Sequence, residues 1–449
     1  DPFMIEPTKL FNKNFFLLWQ GQLVSMLGSS IFMFTLIFTV KKGTQSAPLI
    51  GILMMTHAIA TIVVMPIAGT VADRYSRKWI LIICDFISFI GVLSLALLMF
   101  ALPDKVETWS DINLIFGISA ETVFITHLFI ISISLGAVGG FFRPAIAAAI
   151  PDLVPKDKLE TANSLNLGTM QITSMIGNFA AGTLFVLVSA PIIFLVDALT
   201  YLFSAISELF IDIPQPKAKE HAAGKSGWQK LVDDTKDGLR YVGEKSGMRE
   251  FVFMASLINF FSAPLMMLLP FYVQDHLKQT EAWYGYMFVI AGAGALIGFV
   301  VAGVFKPKGH KRIASMTFAF IFMAICIILS GQTQNLIVAC IGMFLIGACV
   351  AYFNVLTMTV IQKQTTSEMR GRVVGLLTTL VSVVAPLGMG VSGFVFEWLD
   401  KSIPIVYTST GVIFLLLSSY IFISSSYRNF FVSDEIAETQ KEEEEEKPL

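Results

Sequence analysis

Gly69-Thr70-Val71-Ala72-Asp73-Arg74-Tyr75-Ser76-Arg77-Lys78 is the stretch on which the reading of this chain turns. Residues 49–68 before it are almost wholly apolar, and so are residues 80–101 after it. A membrane span needs about 20 apolar residues. A tight charged turn between two such runs therefore reads as a short loop joining two spanning helices. Gly69 lets two helix ends approach closely. Asp73 can cap a helix N-terminus or pair with Arg74, Arg77 or a neighbouring segment. Arg77 and Lys78 hold the loop on the cytoplasmic side.

The rest of the chain agrees with a membrane setting. Of its 449 residues, 55% are hydrophobic and only 14% charged, with a mean hydropathy of +0.72. A soluble surface usually needs about 25% charged residues, so the chain reads as an integral membrane protein. A formal net charge of -2 argues against a nucleic-acid partner. Cys84, Cys326, Cys340 and Cys349 all lie in apolar runs, without metal-ligand spacing or a disulfide framework, and read as buried small hydrophobes. There is no G-x-x-x-x-G-K-[ST] run, metal cluster or nucleophile triad, so the chain reads as no enzyme, with no cofactor. The first apolar run, 15–40, is too long for a cleavable signal peptide and lacks a small-residue cleavage site. Met4 reads as the native start, with residues 1–3 a remnant ahead of it.

Twelve spans are expected, over 15–40, 49–68, 80–102, 122–150, 162–188, 191–210, 251–272, 284–305, 313–331, 335–361, 373–396 and 405–423. An even number puts both termini on one side. The loops on that side carry twenty-five Lys and Arg against five on the other, with Arg143 inside a span, which makes the termini cytoplasmic. The halves echo each other. Gly69, Arg77 and Lys78 recur as Gly303, Lys311 and Arg312, and Gly177 and Gly182 as Gly388 and Gly393. The expected plan is all-α: an N-terminal segment 1–14, a six-helix bundle 15–211, a linker 212–247, a second bundle 248–426 and an acidic tail 427–449. In the linker, Trp228, Leu231, Val232, Thr235, Leu239 and Val242 recur at helical spacing. That pattern fits an amphipathic helix on the inner leaflet or a linker helix packed on protein.

Several motifs resemble a known family. Gly69, Asp73, Arg74, Arg77 and Lys78 match the loop between helices 2 and 3 of major facilitator superfamily transporters, roughly G-x-x-x-D-R-x-G-R-R/K; Ser76 stands where that family usually has glycine. Leu18 to Ser25, Asp85, Phe142-Arg143-Pro144-Ala145, Ile150 to Pro155, Asp197 to Leu202, Gly238 to Val242 and Arg370-Gly371-Arg372-Val373 are similar to the third drug:proton antiporter group, which includes macrolide efflux proteins and the enterobactin exporter. The antiporter motif G-P-x-x-G-G is degraded here to Gly177-Asn178-Phe179-Ala180-Ala181-Gly182. The resemblance implies two six-helix bundles rocking about a midplane site in a bacterial cytoplasmic membrane.

Charges inside spans are functional candidates because they are costly there. Arg143 lies about 10 Å from the inner end of its helix by helical rise, on a face with Gly136, Gly140 and Ala147. It reads either as a cavity residue meeting an anionic substrate group or as a side chain snorkelling to the headgroups. Asp197 begins a stripe through Thr200, Tyr201, Ser204 and Glu208 that can carry protons or tie helices together; Glu208 itself reads as interfacial. Asp73 and Asp85 bracket the charged loop at helix ends. With Arg74, Arg77, Lys78, Arg370 and Arg372 they can form a gate that breaks as access switches. Gln22, Ser25, Ser29, Asn259 and Asn354 offer hydrogen bonds to substrate or to neighbouring helices. His57 and His127 read as packing or interfacial residues, and the many Phe and Met suit an adaptable pocket.

The resulting expectation is a monomeric, proton-driven exporter of amphipathic small molecules among membrane lipids. Siderophore or metabolite export, or lysophospholipid movement, fits the same fold. A receptor or scaffold that transports nothing is the alternative of a different class.

Overall fold

The computed structural model describes residues 9–102, 119–213, 236, 240, 242–244, 246–365 and 370–432, excepting the side chains of 70, 73, 74, 246, 370–375, 378 and 422. Its first six long helices are α1 (Lys13–Thr44), α2 (Ala47–Arg74), α3 (Arg77–Ala101), α4 (Ala120–Leu153), α5 (Leu159–Leu187) and α6 (Ala190–Leu209). Six more follow: α7 (Ser246–Met267), α8 (Ala282–Val304), α9 (Gly309–Gln332), α10 (Leu336–Gln364), α11 (Arg370–Trp398) and α12 (Ile403–Ile423). Beyond α7 the chain continues through Leu269–Phe271 and a π-turn over Tyr272–His276. Among the described residues, twelve helices are long and apolar enough to cross a membrane. Large apolar side chains stand exposed along them, among them Phe86, Ile90, Leu97 and Phe100 on α3, as lipid-facing positions require.

Polar residues start the helices where the sequence places them. Asn12 accepts the Phe15 amide and also donates to the Leu153 carbonyl at 2.6 Å, which ties the start of α1 to the end of α4. Ser46, Ser119 and Asn335 cap α2, α4 and α10. The charged loop is shorter than expected. Asp73 and Arg74 form the last residues of α2, only Tyr75 and Ser76 separate it from α3, and the N-cap of α3 is Ser76. Asp73 therefore does not cap α3. Ser76 has φ -61° and ψ 115°, an ordinary extended conformation, so the turn needs no glycine there.

The chain divides into two compact units, residues 1–228 with 279–286, and residues 229–278 with 287–449. In the first, α1 packs on α5 and α6, α2 on α4, and α3 on α4 and α6. In the second, α7 packs on α11 and α12, and α9 on α10 and α12. Adding six to the helix labels of four of the five pairs in the first unit gives these four, and the fifth, α2 with α4, is matched by α8 with α10. The pair corresponding to α2 and α4 is held by glycine in both copies. A Cβ on Gly136 of α4 would lie 2.2 Å from the His57 carbonyl of α2, and one on Gly294 of α8 would lie 1.9 Å from the Phe344 carbonyl of α10. The repeat faint in the sequence is thus a repeat of helix packing.

Each unit buries an apolar cluster. In the first it joins Phe15, Leu18, Leu81, Ile146, Ile150 and Ile211. In the second it includes Val242, Met248, Phe251, Met316, Val360, Tyr427 and Phe431. Residues 425–432 are helical, and Arg312 and Gln364 donate to the Phe431 and Phe430 carbonyls, each at 3.1 Å. The packed chain therefore runs six residues into the stretch read as tail; residues 433–449 lie outside the described residues. Of the amphipathic pattern in the linker, Val242 is buried, and Arg240 pairs with Glu244 at 2.8 Å. Trp228, Leu231, Val232, Thr235 and Leu239, and the loop over 103–118, lie outside the described residues.

The glycine contact makes a paired prediction. Gly136→Ala is expected to destabilise the first unit by about 1–3 kcal/mol, the usual penalty of overpacking. Gly139→Ala, where nothing lies within 4 Å, is expected to leave the melting temperature unchanged or slightly raised. Thermal unfolding of the two detergent-solubilised variants checks this.

Candidate functional site

The first unit carries a partly open cavity of about 690 Å³. Ser25, Ser29 and Ser30 of α1, His57 of α2, Asp85 and Ser88 of α3, Arg143 of α4, Asn166 and Gln171 of α5 and Tyr201 of α6 give it polar walls, with Met26, Met33, Phe142 and Met170 between them. Arg143 is exposed to this space and makes no ion pair among the described residues. Its expected lane of small residues divides in two. Gly139 and Ala147 line the cavity beside it, whereas Gly136 and Gly140 are pressed against α2. His57 lines the same cavity and is fixed by a 3.0 Å bond between Nδ1 and the Ser132 carbonyl. His127 faces Ser94 at 3.0 Å and has no part in the cavity.

Asp85 requires a correction. It was expected at a helix end beside the charged loop. It lies about two turns inside α3, is 2% exposed, and borders the cavity. Since α3 begins at Arg77, the loop's charges end well before it. Glu208, expected at the interface, is 1% exposed, because α6 turns that face onto its neighbours instead of outward. Gln22 is buried but does not line the cavity. Ser25 and Ser29 do, and the Ser29 hydroxyl lies 2.8 Å from the Tyr201 hydroxyl.

The stripe on α6 is a buried seam. Asp197 is 2% exposed, with Oδ1 accepting from Thr200 at 3.2 Å and Oδ2 unpartnered. It sits against α1, where a Cβ on Gly28 would fall 2.1 Å from Asp197 Oδ1. Only glycine leaves room for that carboxyl. Asp197 does not itself line the cavity; Tyr201, one turn on, does. Further along, Gln20 donates to Ser207, which donates to the Leu17 carbonyl.

Arg77 makes a contact the sequence did not suggest. It pairs with Asp152 near the end of α4 and donates to the Ala148 carbonyl at 2.7 Å and the Ala72 carbonyl at 3.4 Å. Lys78 donates to the Leu209 carbonyl at the end of α6. These two charges thus bind α3 to α4 and α6 within one unit. The side chains of Asp73, Arg74, Arg370 and Arg372 lie outside the described residues.

The second unit has its own cavity, of about 430 Å³. Phe320, Met323, Phe353, Met358 and Phe414 dominate it, with Asn259, Ser262, Asn354, Thr357 and Ser382 as its polar groups. Both expected asparagines are therefore at a cavity wall. Asn259 spends its amide on the Ala255 carbonyl of its own helix at 2.9 Å. Among the described residues no group of His, Cys, Asp and Glu is arranged to hold a metal ion.

Twelve membrane-length helices among the described residues, a repeated packing plan and a cavity with polar and charged groups on its walls fit a multi-pass membrane transporter. The chain belongs to the Major Facilitator Superfamily, whose family model matches residues 18–389 and 251–444. It is 23% identical over 379 residues to macrolide efflux protein A of Streptococcus pyogenes, covering 84% of this chain and 87% of that protein. It is 22% identical to the multidrug efflux pump Tap of Mycobacterium bovis, covering 82% of each. Among solved structures, a D-xylose-proton symporter superposes with a TM-score of 0.68 at 14% identity, covering 91% of this chain and 96% of that one. The nucleoside transporter NupG gives 0.65 at 14%, covering 91% and 98%. These proteins are transporters and not enzymes.

Arg77 carries a prediction. Its side chain is 11% exposed and that of Asp152 is 32% exposed. Breaking a fully buried pair costs about 3–5 kcal/mol, and solvent at Asp152 reduces that here. Arg77→Ala is expected to lower thermal stability clearly more than Lys78→Ala does. Arg77→Lys is expected to restore only part of the loss, because an ammonium cannot reproduce the guanidinium fork. Melting temperatures of the three variants check the order.

Proposed function

We propose that this chain is a secondary active exporter of amphipathic small molecules across the bacterial cytoplasmic membrane. It is coupled to the proton gradient, works by rocker-switch alternating access, and functions as a monomer with both termini cytoplasmic. One observation carries the reading: the first unit's cavity brings Arg143, which makes no ion pair among the described residues, and a carboxyl group, Asp85, onto walls of hydroxyls, amides, His57 and apolar side chains rich in Phe and Met. Such a lining offers a charged or polar head its partners and an apolar body its contacts. The apolar cavity of the second unit supports the same substrate class. The names of the efflux relatives support the outward direction.

The residues take these roles in the proposal. Arg143 meets an anionic group of the substrate or of its counter-ion, and Ser25 and Ser29 supply hydrogen bonds. Asp197, buried with one unpartnered oxygen, carries a coupling proton. Asp73, Arg74, Arg77 and Lys78, with Arg370 and Arg372, control access from the termini side. Asp85 moves from that gate to the cavity wall.

Proteoliposomes with an imposed pH gradient and a panel of amphipathic compounds test the proposal. At least one compound is expected to be transported in a way that collapses when a protonophore is added. Transport indifferent to the gradient for every compound overturns the coupling. Arg143→Ala is expected to cut export at least about tenfold at unchanged protein level, a loss of about 1.4 kcal/mol or more; normal export by this variant removes Arg143 from the site. Asp73→Asn is expected to slow turnover while substrate binding persists, and unchanged turnover leaves the loop with no gating role.

A further inference from the structure

A second acidic centre lies between α3 and α6, away from Asp197. Glu208 is 1% exposed, and neither of its carboxyl oxygens has a hydrogen-bond partner. Asp85 is 2% exposed, its Oδ2 is unpartnered, and Glu208 lies within its electrostatic reach. Ser204, one turn before Glu208 on α6, is fully buried, and its hydroxyl adjoins Asp85. Three buried carboxyl oxygens, in a region whose nearest hydroxyl is that of Ser204, therefore have no donor among the described residues.

Among the described residues no cation is paired with either carboxyl group. From α6, Tyr201 faces the same region, its hydroxyl engaged with Ser29. From α3 the neighbour is Cys84, and from α1 the groups are the neutral Gln22 and Ser25. His57 and Arg143 line the cavity that Asp85 borders, and Lys78 is spent on the Leu209 carbonyl. Two charged carboxylates side by side in such a place repel each other and lose their hydration. A proton between them removes both costs and gives the idle oxygens a donor.

We infer that Asp85, Ser204 and Glu208 form a second proton-binding centre, in which the two carboxyl groups share one proton and exchange with the cavity through Asp85. With one shared proton the pair carries a charge of -1. Uptake of another moves a proton from cavity water to a carboxylate oxygen of Asp85 and makes the pair neutral, and release reverses this. Only O–H bonds change. Ser204 can accept from one carboxyl and donate to the other, which makes it a positioning residue. This inference rests on the proton-coupled reading above for its use in transport, but not for its existence.

The test uses N,N′-dicyclohexylcarbodiimide, which modifies protonated carboxyl groups in apolar surroundings, on the purified full-length protein, with peptide mass spectrometry as the readout. Asp85 or Glu208 is expected to be labelled at neutral pH, with labelling falling as the pH rises. Glu208→Gln is expected to move the midpoint of Asp85 labelling to lower pH by about one unit or more, and Ser204→Ala, a gentler change, to move it measurably. The inference is overturned if protein that remains monodisperse takes no label at either residue between about pH 5 and about pH 9. An unmoved midpoint in both variants overturns it too. So does labelling suppressed by sodium chloride but not by choline chloride, which assigns the site to a metal cation. Labelling without gradient-driven transport leaves the centre standing and removes the proposed coupling; gradient-driven transport without labelling does the reverse.

Discussion

Short-range packing holds this molecule together, because lipid leaves helices little else to attract them. Lipid tails are as apolar as leucine, so two spanning helices gain by association only where their surfaces approach closely enough for dispersion and carbonyl contacts. The contact of Gly136 with the His57 carbonyl is such an approach, and Gly294 against Phe344 repeats it in the second unit. Once α2 and α4 are locked in this way, Gly139, Arg143 and Ala147, on the same broad face of α4 by helical spacing, are held at the cavity border. The cavity wall is thus a consequence of the glycine contact. A bulkier residue at 136 would disturb the direction in which the arginine points as well as the pairing.

The fold was legible in the sequence because its signals are long. A run of about 20 apolar residues is hard to mistake, and the charged turn at 69–78 fixed how two of them join. The repeat was fainter, since what the halves share is helix packing, and packing constrains only the residues at contact points. Glycines at matching positions are what survived of it. The shortness of the charged turn was not legible: nothing in the composition of Asp73 and Arg74 says that α2 continues through them.

The candidate site was legible in part, for a reason that can be stated residue by residue. Arg143 stood out because a guanidinium in an apolar run is rare, and the cavity lies where it points. Asp85 was misplaced because its distance from the loop was measured along the sequence, whereas its surroundings are set by what α6 brings beside α3. The burial of Glu208 was not legible because it is the penultimate residue of its helix, and helix ends usually meet water. Asp152 was passed over for the same kind of reason: its partner, Arg77, is 75 residues away in sequence. Each of these depends on contact between helices, and a single sequence carries no record of such contacts beyond periodicity.

The two units share a packing plan and differ in chemistry. Asp85, Asp197 and Glu208, buried among the spanning helices, all belong to the first unit, and so does Arg143. The cavity of the second unit has aromatic and methionine walls with only neutral polar groups. Duplicated packing tolerates this divergence because the residues that pair helices and the residues that border a cavity are different positions of the same helix, as α4 shows with Gly136 and Gly140 against α2 and Arg143 at the cavity. The scaffold therefore constrains the small residues and leaves the cavity residues free to specialise.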